Sequence, residues 1–489
     1  MDVEINGIAM ETLEDRALVQ AGVESRVPLP EGVEIKQLLL SAPELVFGEA
    51  VCGQGEVSVE GELTVHFLLE DMSGEAVGFT ARSTFRQSAQ VPGARPGCVP
   101  RVQGQILECR CRPEGEGIQV ALILELDILV CSREPRRLVT NLSGPGVETK
   151  FSPLSVRQRC VLGETNLRIR DELPAQNAAR VLLARGAARV HSVQFAGATA
   201  NVEGELWVTA ITADETGELQ TVTGQIPFRD AFTAAPGDQP LCRAFVRSIT
   251  ATAADEAFGV LDIEAVIGME LCGQESSQHR ILADAYDREA SFHLEPCSLE
   301  KLDCRGLTQA QVRISEQVAV PRHLPEARRP LHLSVLPCVT GVTEREGRQV
   351  AEVMLLVTAV YRCEGGFLHS FTEDVPVFLP LELPQGDLVL PRVRVLSAAL
   401  GGSGRLLEMN LSFLVQGESY ETRAFSGVAE VVSGGQAPKE RGILIYCTDR
   451  GETLWDVGKR FCLPPEEILR WNDGMPEDLP EGSPLVLLR

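Results

Sequence analysis

The chain lacks most of the signatures by which a sequence announces chemistry. It has no Gly-x-Ser-x-Gly elbow, no phosphate-binding loop, no dinucleotide fingerprint and no His-Glu-x-x-His. Its seven histidines (His66, His191, His279, His293, His323, His332 and His369) are spread singly, and none recurs at an equivalent place in all three of the repeats described below. A histidine-based catalytic centre is therefore not expected. No apolar run approaches the roughly 18 residues that span a bilayer. Met1 to Met10 has neither a basic n-region nor an apolar h-region, so no secretory signal is expected. Fourteen cysteines, from Cys52 to Cys462, form no CxxC pair and no repeated framework, which points to reduced thiols and away from zinc. The closest pair, Cys109 and Cys111, falls in a strand-like stretch that puts both thiols on one face. Basic residues are outnumbered 45 to 69, for a formal charge of −24. A surface this acidic repels phosphate, which argues against nucleic acid or anionic lipid as a partner. These absences together predict a protein that is not an enzyme and holds no cofactor or metal.

What the chain does have is repetition. The stretch Val59-Glu60-Gly61-Glu62-Leu63 returns as Val202-Glu203-Gly204-Glu205-Leu206, an offset of 143 residues (from 59 to 202). A third, degraded copy reads Leu355-Leu356-Val357-Thr358-Ala359-Val360, matching Leu206 to Ile211 at an offset of 149 (from 206 to 355). A period of roughly 140 residues is the size of a whole domain, far longer than a solenoid unit of about 20–50 residues. Glu60 and Glu62, repeated as Glu203 and Glu205, could flank a sugar as glycosidase carboxylates do, about 5–10 Å apart. The plainer expectation is a solvated strand face.

Each copy ends on its clearest strand. Leu122, Leu124, Leu126, Ile128 and Val130 share one face, as do Leu261, Ile263, Ala265, Ile267 and Met269, and Leu407, Met409, Leu411, Phe413 and Val415. Period-two alternation over nine residues predicts a half-buried strand. Several such strands between Gly and Pro turns predict antiparallel sandwiches or barrels. With 44% apolar and 23% charged residues, the chain can bury several such cores. The division that follows is a polar leader over 1–22, with a short helix through Thr12–Asp15, then β repeats over 23–150, 165–300 and 310–432. The joints fall at Asn141–Gly146 and near Ser298–Gly306. Small polar residues from Ser433 to Lys439 mark a flexible linker over 433–442, ahead of a module over 443–489.

In that module the grammar changes to strand, helix, helix, strand. Ile443–Tyr446 and Leu485–Leu488 are short β runs. Thr453 can cap a helix whose N3 residue is Asp456, with Leu454, Val457 and Phe461 on one apolar face. Pro464 and Pro465 open a second helix through Ile468 and Leu469 to Trp471-Asn472, and Glu466 and Glu467 complement its N-terminal dipole. The whole module carries nine acidic and five basic residues, a formal charge of −4.

The order Tyr446, Gly451-Glu452-Thr453-Leu454-Trp455-Asp456-Val457, Ile468-Leu469, Trp471-Asn472, then Leu479-Pro480-Glu481-Gly482, resembles a LysM module over its full length. Glu452 stands where Asp is usual and Ser483 where Gln is common. The resemblance implies a βααβ fold with a shallow groove between the first turn and the segment after the second helix. The matching positions are Gly451, Glu452, Thr453, Leu454, Asn472, Asp473, Gly474 and Met475. Such grooves usually bind N-acetylglucosamine polymers of peptidoglycan or chitin; the alternative is that Leu454, Trp455 and Trp471 simply make the module's core, the favoured reading for Leu454 and Trp471. Three β repeats before one C-terminal LysM module are similar to the SipL-type spore-coat morphogenetic proteins, whose repeats are called SPOCS domains. That resemblance implies a non-enzymatic scaffold in the mother-cell cytoplasm, at the forespore surface and in the spore coat. It further implies docking, through the LysM module, on a SpoIVA-like coat basal-layer ATPase, with other coat proteins as partners. Two other readings stay open: a glycan-binding cell-wall protein, and a LysM-targeted wall hydrolase, for which no catalytic constellation is seen.

Overall fold

In the computed structural model the described residues are 1–253, 259–436, 442–472 and 479–488. The chain is built almost wholly of antiparallel strands, as the alternation predicts. The first stretch holds β1 (Asp2–Ala9), β2 (Thr12–Pro28), β3 (Ile35–Cys52), β4 (Glu56–Asp71), β5 (Ala76–Gln90), β6 (Val99–Glu114), β7 (Gly117–Ser132) and β8 (Pro135–Ser143). The second holds β9 (Val147–Pro174), β10 (Arg180–Ala196), β11 (Thr199–Ala213), β12 (Leu219–Thr233), β13 (Asp238–Ala253) and β14 (Val260–Asp287). The third holds β15 (Ala290–Ala319), β16 (Ala327–Arg345), β17 (Arg348–Cys363), β18 (Leu368–Pro380), β19 (Leu388–Ser403) and β20 (Leu406–Gln436). A small C-terminal unit follows, with β21 (Ile443–Cys447), α1 (Leu454–Phe461), α2 (Pro465–Trp471) and β22 (Pro484–Leu488).

Each of the three stretches forms two three-stranded sheets with one connectivity. The sheets β3-β4-β5, β10-β11-β12 and β16-β17-β18 face β2-β7-β6, β9-β14-β13 and β15-β20-β19 across apolar cores. The alternating faces read from the last strands are buried in β7, β14 and β20, each buried Leu or Ile contributing about 1.5–3 kcal/mol. The repeated pentapeptide lies in the central strands β4 and β11. Its glycine has a packing reason. A Cβ on Gly61 would stand 2.4 Å from the Phe85 ring and 2.9 Å from the Val46 carbonyl oxygen; on Gly204 it would stand 2.4 Å from Phe228 and 2.5 Å from the Arg189 carbonyl. Gly61 pairs with Phe85 and Gly204 with Phe228, so the cross-strand ring covers the bare backbone. In the third stretch Val353 pairs with Val377 instead. Glycine and phenylalanine are lost together there, which explains why the third copy is faint.

Several expected boundaries are corrected. Residues 1–22 form no leader helix: Thr12–Asp15 begins β2, and Met10 and Glu11 are buried. Residues 147–164 are the opening two-thirds of β9, and Ser298–Gly306 lies inside β15 rather than at a joint. Residues 433–436 of the expected linker extend β20, while 437–441 fall outside the described residues. The physical reason is that long strands run beyond each sandwich to form two-stranded ribbons. β1 pairs with β8, the start of β9 with the end of β14, and the start of β15 with the end of β20. The three ribbons pack on one another through Ile8, Leu138, Val156, Ile281 and Phe425. At the other end the sandwiches share a second core, which includes Leu40, Leu68, Leu183, Ile211, Leu331 and Val360.

Between these two shared cores the seam is ionic. Arg101 lies 2.6 Å from Glu11 and donates to the Tyr420 hydroxyl at 2.8 Å. Tyr420 in turn donates to Glu418, which also takes Arg243, and Arg159 at 3.2 Å. Arg159 also meets Glu270 at 2.8 Å. Burial opposes the charge on Glu418, yet Arg243, Arg159 and Arg101 outweigh it and hold its carboxyl well below the usual range. Toward the far core, Arg185 pairs with Glu44 at 2.7 Å and donates to Ser334 at 3.2 Å, one residue from each stretch.

Candidate functional site

The C-terminal unit folds around Leu454, Val457, Ile468, Leu485 and Leu487, with Trp471 partly buried against them. Thr453 and Asp456 close a capping box: the Asp456 N–H donates to the Thr453 hydroxyl, and the Thr453 N–H donates to the Asp456 carboxylate at 2.9 Å. Cys462 ends α1 in the left-handed region, φ 55°, and Pro464 and Pro465 start α2 two residues later. β21 and β22 pair in antiparallel register from Ile443↔Leu488 to Cys447↔Pro484.

Of the eight groove positions, five fall on described residues, and Asp473, Gly474 and Met475 lie outside them. Gly451 is exposed in the turn at φ +76°, a conformation that suits glycine. Thr453 is exposed, its hydroxyl engaged with Asp456 at 2.6 Å. Leu454 belongs to the core. Glu452 is turned inward, 8% exposed, accepting from the Tyr446 hydroxyl at 2.8 Å and the Asp449 N–H at 3.0 Å, with Arg460 at 3.0 Å. Asn472 is buried too. Its amide donates to the Ile468 and Val486 carbonyls at 2.8 Å each and accepts from the Val486 N–H at 2.7 Å, tying α2 to β22. Among the described residues, the polar side chains at these positions, Glu452, Thr453 and Asn472, are thus engaged within the unit itself.

One open face of the unit is apolar. On the face of the β21–β22 sheet turned away from the core, Ile443 is 76% and Ile445 70% exposed, beside Val486 and Leu488 at 38% and 39%. Single exposed hydrophobics are ordinary, but four on one small sheet form a patch.

One contact was not foreseen from the sequence. The Trp455 Nε1–H donates to Asp284 of β14 at 2.7 Å, and Lys459 pairs with the same carboxylate. The Tyr286 ring meets Trp455 edge-on, centroids 5.1 Å apart, and its hydroxyl donates to the Leu463 carbonyl at 2.6 Å. A Cβ on Gly458 would stand 2.7 Å from that hydroxyl, so glycine opens the slot that Tyr286 fills. Helix α1 therefore docks on the second ribbon, with Trp455 at the contact rather than in the unit's own core. Asp284-Ala-Tyr286 was the available signal, an acid and an aromatic on one strand face, but nothing in it names the partner.

The paired acids of the repeated pentapeptide lie on the surface and are met by arginines. Glu60 and Glu62 lie exposed on the strand surface near Arg86 and Arg82, at 3.5 and 4.0 Å, and Glu203 pairs with Arg229 at 2.9 Å. Cys109 and Cys111 do share a face, their sulfurs 3.7 Å apart. Among the described residues no group of three or more His, Cys, Asp or Glu is arranged to hold a metal, and no helix is long and apolar enough to cross a membrane. No family model, curated protein or solved structure matches the chain.

Proposed function

We propose that the protein is a non-enzymatic scaffold of spore-coat assembly at the forespore surface. Its C-terminal unit docks on the coat basal-layer ATPase, and its β stretches link other coat components. This reading rests on the resemblance drawn from the sequence. One observation favours a protein partner over a glycan: the unit buries Glu452 and Asn472 for its own cohesion and exposes an apolar sheet face at Ile443, Ile445, Val486 and Leu488. A sugar chain needs a concave apolar surface with a few free, convergent polar groups, whereas a protein interface centres on an open apolar patch with a polar rim. The unit's formal charge of −4 adds steering toward a basic partner surface.

Titration calorimetry of the full-length chain tests this against the coat ATPase and against N-acetylglucosamine oligomers. Binding to the ATPase is expected, weakened at least tenfold by Ile445→Asp and weakened by salt, since exposed charges are screened over about 8–10 Å at physiological ionic strength. Tight glycan binding without ATPase binding overturns the proposal.

A further inference from the structure

Two cysteines stand where the fold does not ask for them. Cys109 and Cys111 lie on β6, the outer strand of the β2-β7-β6 sheet, opposite Leu122 and Val120 of β7. Both side chains turn to the first sandwich core and are half-buried at its flank. Ser41 of β3 meets them there from the facing sheet. The other two stretches show what packing alone requires at these places. Counted from Gly117, Val260 and Leu406, where β7, β14 and β20 begin, Leu122 matches Ala265 and Leu411, and Val120 matches Ile263 and Met409. Their partners on the outer strand are Ile249 and Ala398 in place of Cys109, and Ala251 and Leu400 in place of Cys111. Phe67, which pairs with Ser41, matches Ala210 and Ala359 in the same way, so Ala184 and Leu333 stand in place of Ser41. An apolar flank serves the fold twice. Only the first stretch carries two thiols and a hydroxyl there.

The two sulfurs are 3.7 Å apart. Successive same-face residues of a strand lie about 6.4–6.8 Å apart at Cα, twice the rise per residue. That is the upper end of what a disulfide spans, and pairing with β7 holds Cys109 and Cys111 at it. Closing the gap to a sulfur–sulfur bond would shorten β6 against that pairing, whereas an ion enters between the thiols by side-chain rotation alone. The contact between the thiols first, and then burial, push Cys109 up, while the same contact holds Cys111 below the usual thiol range. The pair therefore yields one proton more easily, and the second to a cation that takes its place. Thiolates select soft ions, copper(I) among them. Among the described residues no third His, Cys, Asp or Glu completes a site of higher coordination, and a closed-shell monovalent ion is satisfied by two thiolates.

We propose that Cys109 and Cys111 form a two-thiolate site for a soft monovalent cation of the copper(I) class. Binding releases both thiol protons to solvent and leaves a sulfur–copper–sulfur bridge, a monovalent cation between two thiolates, at the open flank of the sandwich. No oxidation state changes. The site belongs to the first stretch alone and is independent of the C-terminal unit and of the scaffold reading.

The test uses the full-length chain, reduced and freed of small thiols in an oxygen-free buffer, and titrated with copper(I) against a chromophoric copper(I) chelator. One ion per chain should be held tightest. C109A and C111A should each weaken that site at least a hundredfold. Alanine already fills both matched positions, as Ala398 and Ala251, so both variants should melt as wild type does without copper. C447A, at the exposed cysteine of β21, should leave the tightest site unchanged. X-ray absorption of the one-copper protein should show two sulfur neighbours. Affinity should fall with acid, by up to about a hundredfold per pH unit, because two protons compete for the sulfurs. A tightest site that survives both substitutions, a copper with three or four sulfur neighbours, or an affinity indifferent to pH overturns the proposal.

Discussion

The seam of the β body and the interior of the C-terminal unit both bury charged or amide side chains, but over very different spans of chain. Glu452 is held by residues within eight positions of it, and Asn472 by residues within fourteen. Glu418, by contrast, takes Arg159 and Arg243 from the second stretch, and reaches Arg101 of the first through Tyr420. Local networks stabilise a turn or a helix end. The long-range network specifies how three otherwise similar sandwiches sit together, because an apolar seam would accept several registers and a charged one does not. Buried ion pairs add little net stability over apolar packing, yet removing one partner is severe.

That difference is easiest to break at Glu418. Glu418→Gln leaves Arg243 and Arg159 short of a carboxylate and should cost about 3–5 kcal/mol in denaturant unfolding of the body. Hydrogen exchange should show the loss spread over all three stretches while α1 and α2 keep their protection. A loss confined to β20 would show that the seam is not cooperative. Leu454→Ala is the counterpart in the small unit. It opens a cavity beside Val457 and Ile468 and should cost about 2–5 kcal/mol, with the body's own transition unchanged.

Acid should separate the regions next. Burial, and then Arg185, hold His332 down at about 3 from an ordinary 6.5, so the unfolded chain takes up a proton that the folded chain refuses. The His332 contribution is present above pH 6.5 and is lost as pH falls toward 3, at no more than about 1.4 kcal/mol per pH unit. Glu44 is opposed by burial but lowered to about 2 by Arg185 and His66, and Glu418 is lower still. Their contributions are present above about 4.5 and are lost below it. The body should therefore weaken in two steps, the first absent in His332→Phe. A single step near 4.5 in wild type would show that His332 is not shielded.

The strands were legible because one face of β7, β14 and β20 is buried, and alternation records that directly. The capping box at Thr453 was legible for the same local reason. The ribbons were not. Stretches such as 147–161 pair with residues more than a hundred positions away and pack on other ribbons, so neither neighbour is marked in the local pattern. The same holds for the charges: Arg101, Arg159 and Arg243 look like surface arginines until Glu418 is placed among them. At the groove positions, type was legible and orientation was not, since a turn glutamate reads alike whether it faces a ligand or Tyr446.

The smallest effect is the most informative about how the two regions meet. Trp455→Phe keeps a ring against Tyr286 and removes only the N–H that donates to Asp284, so it should cost the docked unit roughly 1 kcal/mol. Asp284→Asn should cost more, because Lys459 loses its counter-charge as well, although that pair is half exposed and contributes little. If α1 docks as described, the double variant should be less destabilised than the two singles added together, with a coupling of at least about 0.5 kcal/mol read from protection of α1 in hydrogen exchange. Strict additivity would mean that Trp455 and Asp284 do not act on each other in solution. Docking of α1 would then rest on Tyr286, whose ring fills the slot at Gly458 and whose hydroxyl donates to the Leu463 carbonyl, and not on the Trp455–Asp284 pair.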